Sequence, residues 1–320
     1  MTSSPTLPRL AAALQLAWPL LCAPALAAPF AYVPNEKSGT VSIIDTASDS
    51  VIGEIAAGSR PRGIAIDPAR GALFITDATA RTLLVIDTAE RRVLRQAPLG
   101  ASPEGVSLSP DRKLVAAAVE EGNSVALRNA VNGAHIADIK VEGHNPEHAV
   151  FSPDGRELYV SAEDAEQIDV IDVAKQRQVA SIAVGRRPRG IGFLPDGSRA
   201  YVACELADTV YAIDVASRKV VATIAAGKSA NGIVVHPDGK RVYVSNGRDA
   251  TVMVIDTASN MVVNTIAVGK RPWNMALTPD GNKLYVANGR SNSVSVIDTR
   301  TGRVISEIMV GELPWGVAIR

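Results

Sequence analysis

Apolar residues recur along this chain in short runs, as in Val294-Ser295-Val296-Ile297, each closed by an acid or a turn residue. Runs of four to six with no helical period read as strands, and the near-continuous ones as strands buried on both faces. The runs keep a fixed beat. The acid that ends one of them returns as Asp45, Asp87, Asp172, Asp214, Asp256 and Asp298, with Asn129 in the remaining slot, at spacings of 42, 42, 43, 42, 42 and 42. A closing glycine keeps step at Gly58, Gly100, Gly143, Gly185, Gly227, Gly269 and Gly311. Seven copies of one module are therefore present, and a period of this length marks a solenoid, a propeller or an array.

Each module predicts four strands, illustrated by Asn274–Thr278, Lys283–Ala287, Thr251–Asp256 and Val262–Val268. Pro-Asp-Gly separates the first two at 153–155, 195–197, 237–239 and 279–281, where Pro presets φ and Gly accepts a positive φ. Four short strands per module exclude a helical solenoid and predict an all-β, seven-bladed propeller of four-stranded antiparallel blades. The ends predict how it closes. The chain after the leader opens on a second strand, Phe30–Val33, and stops after a first strand, Trp315–Arg320, so the last strand should complete the first blade and remove two free edges.

The segments Tyr243-Val244-Ser245-Asn246 and Tyr285-Val286-Ala287-Asn288, with the Pro-Asp-Gly turns, resemble the YVTN β-propeller repeat over essentially the whole chain. Arg271-Pro272-Trp273 and the ending Val310-Gly311 through Pro314-Trp315-Gly316-Val317-Ala318 are similar to a subgroup associated with pyrroloquinoline-quinone (PQQ)-dependent alcohol catabolism. That resemblance implies seven blades and a role accessory to quinoprotein alcohol oxidation.

Composition adds location and excludes classes. Arg9, the apolar stretch from Leu10 to Cys22 and Ala25-Leu26-Ala27 predict a signal peptide over 1–27 and a propeller over 28–320, exported to the periplasm or medium. The apolar stretch is too short for a membrane span. Lys plus Arg equals Asp plus Glu, 33 against 33, so no overall charge favours nucleic acid or an anionic membrane. After cleavage Cys204 is the lone cysteine, and it is expected to be buried and inert.

In a propeller, the loops entering the innermost strands cross one face. Here those seven loops carry eight bases and three acids, while the loops between second and third strands, on the same face, carry nine acids and four bases. One position per module enters the channel mouth: Arg62, Glu104, Glu147, Arg189, Asn231, Trp273 and Trp315. Ring closure makes Trp273, Trp315 and Arg62 neighbours, and two indoles beside a guanidinium suit a small, flat anionic ligand. The competing reading is that the indoles plug the channel and the arginine caps them. His144 and His148, with Glu104 and Glu147 nearby, offer a metal site of two imidazoles and a carboxylate, against the alternative of solvated loop histidines. No nucleophile elbow, phosphate loop, dinucleotide fingerprint or His-Glu-x-x-His is present.

The sequence therefore favours a binding or scaffold propeller without chemistry of its own, taking a small anionic ligand or a periplasmic protein partner. Its alternatives are a propeller lactonase or lyase, a metal carrier, and a nucleic-acid binder, the last disfavoured by the neutral net charge and the acidic sector. It fixes no cofactor; the resemblance admits PQQ and the histidines admit a divalent metal.

Overall fold

The computed structural model describes residues 1–2 and 29–320; the expected leader from residue 3 onward lies outside the described residues. Seven four-stranded antiparallel sheets stand around one axis, as the repeat predicts. Blade 1 combines Phe30–Asn35, Thr40–Asp45 and Ser50–Ala56 with the C-terminal strand Ala318–Ile319. Blades 2 to 7 follow over 61–98, 103–140, 146–183, 188–225, 230–267 and 272–309. Closure is by the expected pairing, with Ala31 opposite Ile319 and Tyr32 opposite Ala318. The closing strand is shorter than expected, because Trp315 to Val317 leave the ladder and only Pro314 bridges back to Asn35. Among the described residues no helix is long and apolar enough to cross a membrane.

Apolar side chains from facing blades make the core. The second and third strands are almost wholly buried, whereas the outermost strands are buried at few positions. Each Pro-Asp-Gly turn works as its chemistry requires: Gly155, Gly197, Gly239 and Gly281 sit at φ of 71° to 73°. Ser152 and Thr278 donate to the turn aspartates at 2.6 Å. Cys204 is fully buried, and burial pushes its thiol up to about 12, so it is inert at neutral pH.

What positions the site is a bulge. In blades 2 to 7 the innermost strand slips register against the second strand at or beside the ring residue, as between Pro61 and Ile64 or between Pro272 and Met275. A bulge frees one residue from the ladder and re-aims its side chain. The next residue is usually glycine because the innermost strands nearly touch. A Cβ at Gly63 would lie 2.3 Å from the Glu104 carbonyl oxygen, and one at Gly232 would lie 2.4 Å from that of Trp273. The Thr76 and Ser245 hydroxyls then donate to those same carbonyls at 2.6 and 2.5 Å, lacing blade 2 to blade 3 and blade 6 to blade 7.

Candidate functional site

All seven ring positions, Arg62, Glu104, Glu147, Arg189, Asn231, Trp273 and Trp315, line one cavity of 470 Å³ at the channel mouth. Two further rings, one residue per blade, surround it. The first residue after each second strand is Glu36, Ala78, Glu120, Glu163, Glu205, Gly247 or Gly289. Two residues before each ring position stand Arg60, Ser102, Asn145, Arg187, Ser229, Arg271 and Leu313. A backbone clamp fixes these two rings to each other in every blade. Thus Glu36 N donates to Leu313 O at 2.9 Å, Glu163 N to Asn145 O at 3.1 Å, and Gly247 N to Ser229 O at 2.8 Å.

Sequence reasoning missed the outer acids, although they carry a signal: Glu36, Glu120, Glu163 and Glu205 occupy one slot of the repeat. A charge count over whole loops hides that slot, because Glu121, Asp164, Glu166 and Asp208 lie beside it and do not belong to the ring.

Charged side chains in the cavity form two networks. On one side Arg62 joins Glu36 at 3.2 Å and pairs closely with Glu104, while Arg60 reaches Glu36 at 2.6 Å. On the other, Arg189 holds three acids: Glu147 at 2.5 Å and Glu163 at 2.7 Å, both through Nη1, and Glu205 at 3.0 Å through Nε. Arg187 adds contacts to Glu163 at 3.1 Å and Glu205 at 3.4 Å, and Arg271 reaches Glu205 at 2.7 Å.

The two networks join five carboxyls to five guanidiniums, and Glu120 adds a further acid to the cavity wall; the excess of acid shows in the protonation. Burial pushes the Glu163 carboxyl up, the Glu147 charge pushes it further, and with Arg189 and Arg187 opposing it settles at about 8. Burial also works against the Glu147 charge, but the Arg189 and Arg62 charges outweigh it and leave that carboxyl below its ordinary range. Two carboxyls on one arginine nitrogen, driven in opposite directions, hold one proton between them at neutral pH. Arg189 keeps its charge firmly: burial opposes it, and Glu147, Glu163 and Glu205 prevail.

The aromatic sector differs from the expected cluster. Trp315 reaches across the axis from blade 1 and stacks on His148 of blade 4, with ring centroids 5.6 Å apart and planes 19° from parallel. The Trp273 ring instead lies flat over Gly289, where a Cβ would come within 2.5 Å of it. The two indoles therefore have different neighbours, although both line the cavity. His148 and Asn274 replace the usual small glycine beside the ring, and both reach inward. Burial lowers the His148 pKa, the Glu147 charge partly opposes that and the Arg189 charge reinforces it, so the imidazole favours its neutral form.

The metal expectation divides. His144 is exposed on its loop with Nδ1 3.3 Å from Asn123 Nδ2, whereas His148 faces Trp315. Among the described residues no three His, Cys, Asp or Glu side chains are grouped to hold a metal ion.

Comparison with known proteins bears on the activity. The family described as "Lactonase, 7-bladed beta-propeller" matches residues 45–307. A search of curated proteins finds no match. Among solved structures, a periplasmic gluconolactonase of Pseudomonas aeruginosa is similar at a TM-score of 0.77 and 23% identity, covering 91% of this chain and 98% of that one. Hydrazine synthase of Kuenenia stuttgartiensis is similar at 0.78 and 22%, covering 84% and 92%. A Desulfotomaculum acetoxidans protein of unknown function reaches 0.80 at 20%, covering 91% and 98%. At these identities the structural neighbours speak for the fold. The family match overturns the expectation of a scaffold without chemistry and supports the alternative of a lactonase-type enzyme. The scaffold reading rests on missing catalytic motifs, but a site assembled from one residue per blade leaves no local motif.

Proposed function

The chain belongs to the seven-bladed β-propeller lactonase family, and from that premise we infer that it hydrolyses a small lactone in the axial cavity. The observation that carries this reading is the pair Glu147 and Glu163 on Nη1 of Arg189, on the wall of a cavity open to solvent. There Arg189 holds the first carboxyl's pKa down and burial pushes the second's up to about 8. Lactone hydrolysis needs both forms, ionised and protonated. Glu147 takes a proton from water as the water oxygen adds to the lactone carbonyl. The developing oxyanion lies against Arg189 or Arg62, which carry fixed positive charge in a partly desolvated site. The C–O bond of the ring breaks as Glu163 gives its proton to the leaving oxygen, forming a hydroxy acid. Ionisation of that acid releases one proton to solvent, and transfer from Glu147 back to Glu163 resets the pair. Trp315 and Trp273 supply apolar walls.

The apolar leader supports export to the periplasm, as does the likeness to a gluconolactonase that is periplasmic in Pseudomonas aeruginosa. The YVTN-type repeats and the likeness to the PQQ-associated subgroup fit the same setting. Oxidation of a cyclic hemiacetal hydroxyl yields a lactone, so a quinoprotein alcohol oxidation is the class of reaction that supplies this substrate.

The test is proton release by purified protein, followed against spontaneous hydrolysis over a panel of aldonolactones. Glu147→Gln should lower kcat about 10²- to 10⁴-fold in a protein that melts as a folded chain. No acceleration of any lactone, or a Gln variant as fast as the parent, would end this reading.

A further inference from the structure

Closing the ring leaves one kind of edge open. The outermost strand of each blade ends its sheet, with nothing hydrogen-bonded on its outer side. Such an edge can pair with another chain, and an outward charge is a common guard against it. Six of the seven outermost strands have that guard: Glu54, Arg95, Lys140, Arg177, Lys219 and Arg303 are exposed on blades 1 to 5 and 7. Blade 6 has none. Its outermost strand, Met261–Ala267, reads Met-Val-Val-Asn-Thr-Ile-Ala, without a charge or a proline. Five residues in a row, Met261 to Thr265, are exposed, Met261 at 65% and Val263 at 60%. Among the described residues, the only side-chain bond to this strand's main chain is from the Thr265 N–H to Asn264 Oδ1, at 2.8 Å.

The two ends of this strand differ in sign. Asp256 lies beside Met261 at one end, where its carboxylate takes the Ser259 hydroxyl and N–H at 2.7 and 2.8 Å. Lys270 follows the strand at the other end, exposed beside Arg248 and Arg290 on the cationic side of the mouth. Among the described residues none of these four has a salt-bridge partner. The flanking strands of blades 5 and 7 open on Lys219 and Arg303, so the uncharged surface is one strand wide.

We propose that Met261–Ala267 is a dimer edge, which pairs antiparallel with the same strand of a second copy of this chain. Two identical strands laid antiparallel are related by a two-fold axis, so the pairing closes at two copies and does not grow. The same axis brings the acidic end of each strand to the basic end of the other. With the axis midway between Val263 and Asn264, Val262 of each copy stands opposite Thr265 of the other, and Lys270 is carried toward Asp256. Val262 and Thr265 both line a cavity of 500 Å³ between blades 5 and 6. Opposed residues of an antiparallel pair share a face, so the second copy's valine lies at the opening of that cavity. Because the strands run opposite ways, the two channel mouths open on opposite sides of the dimer and neither is covered.

Sedimentation velocity of the purified protein from about 1 to 300 µM tests this. One strand pair makes an interface below about 1,200 Å², so the dimer is weak and forms with concentration. The parent should pass from monomer to dimer over that range and go no further. Val263→Lys places a charge beside the axis and should raise the dimer dissociation constant at least about tenfold. Lys270→Glu, which sets an acid against Asp256, should raise it as well. Val221→Lys, the matching change on blade 5, should leave it unaltered. Melting curves establish that each variant is folded. A parent that stays monomeric throughout overturns the proposal and leaves this edge to a strand of a different protein. A dimer indifferent to Val263→Lys or to Lys270→Glu, or one weakened equally by Val221→Lys, overturns it too.

Discussion

At the scale of single residues, the site turns on how one carboxyl is housed. Glu163 titrates at about 8 in the folded protein against an ordinary 4.5, so the native state prefers its neutral form. Between those values the folded chain binds the extra proton, and stability contributed by this group is full below about 4.5 and is lost as pH rises through about 8. Glu163→Gln keeps the neutral shape at every pH. Its stability relative to the parent should therefore improve from pH 5 to pH 9 by roughly 2–5 kcal/mol, read as a widening gap between melting curves. A gap independent of pH would show that the carboxyl is ionised throughout. The same group, acting as proton donor, should make parental kcat fall above about pH 8, and the Gln variant should lack that limb. None of this housing could be read from the sequence. Repeat register located Arg62, Glu147 and Arg189 because one position per module recurs, but a rotamer is not periodic. Trp315 could have met Trp273 and Arg62, and in the fold it meets His148 instead.

At the scale of strands and turns, most was legible because each local signal had one geometric answer. Pro-Asp-Gly gave its turns, and the alternation of runs gave the four strands. The bulge of the innermost strand was not legible, since it follows from crowding around the axis and not from local propensity. The glycines show how tight that crowding is. Gly232→Ala puts a methyl 2.4 Å from a backbone oxygen of the neighbouring blade, so the strands must part. Gly316→Ala meets its nearest neighbour, the Asn274 Cβ, at 3.3 Å. The first substitution should cost about 1–3 kcal/mol and the second clearly less. Chemical denaturation of the two variants side by side measures this; equal costs would mean that the inner strands slide freely.

At the scale of the whole molecule, the ring is held by its ends and by its charges. The closing segment adds the pairs at Ala31 and Tyr32 and the bridge from Pro314 to Asn35, with Trp315 N donating to Pro34 O at 2.9 Å and Arg320 N to Phe30 O at 3.0 Å. Blade 7 adds its own hold on blade 1, where Lys283 reaches Asp49 at 2.7 Å and the Thr46 carbonyl at 2.8 Å. Deleting residues 314–320 should lower the melting temperature and leave the edge of Phe30–Asn35 free to pair with another chain. Calorimetry and size-exclusion chromatography read both effects. A truncated chain that melts and elutes with the parent would assign closure to the side chains of blade 7. Closure and blade number were plain in the sequence because both depend on counting modules. The separation of an acid-rich half from a cationic half was only partly visible, because it depends on which member of each loop turns inward.

The clamps that join the two outer rings use main-chain atoms alone, and they persist whether the residue between them is glutamate, alanine or glycine. Side-chain identity at these positions is therefore uncoupled from the scaffold that presents it. A chain built this way can acquire a new specificity by exchanging residues one module at a time, each exchange tolerated by the frame before any is selected for what it binds.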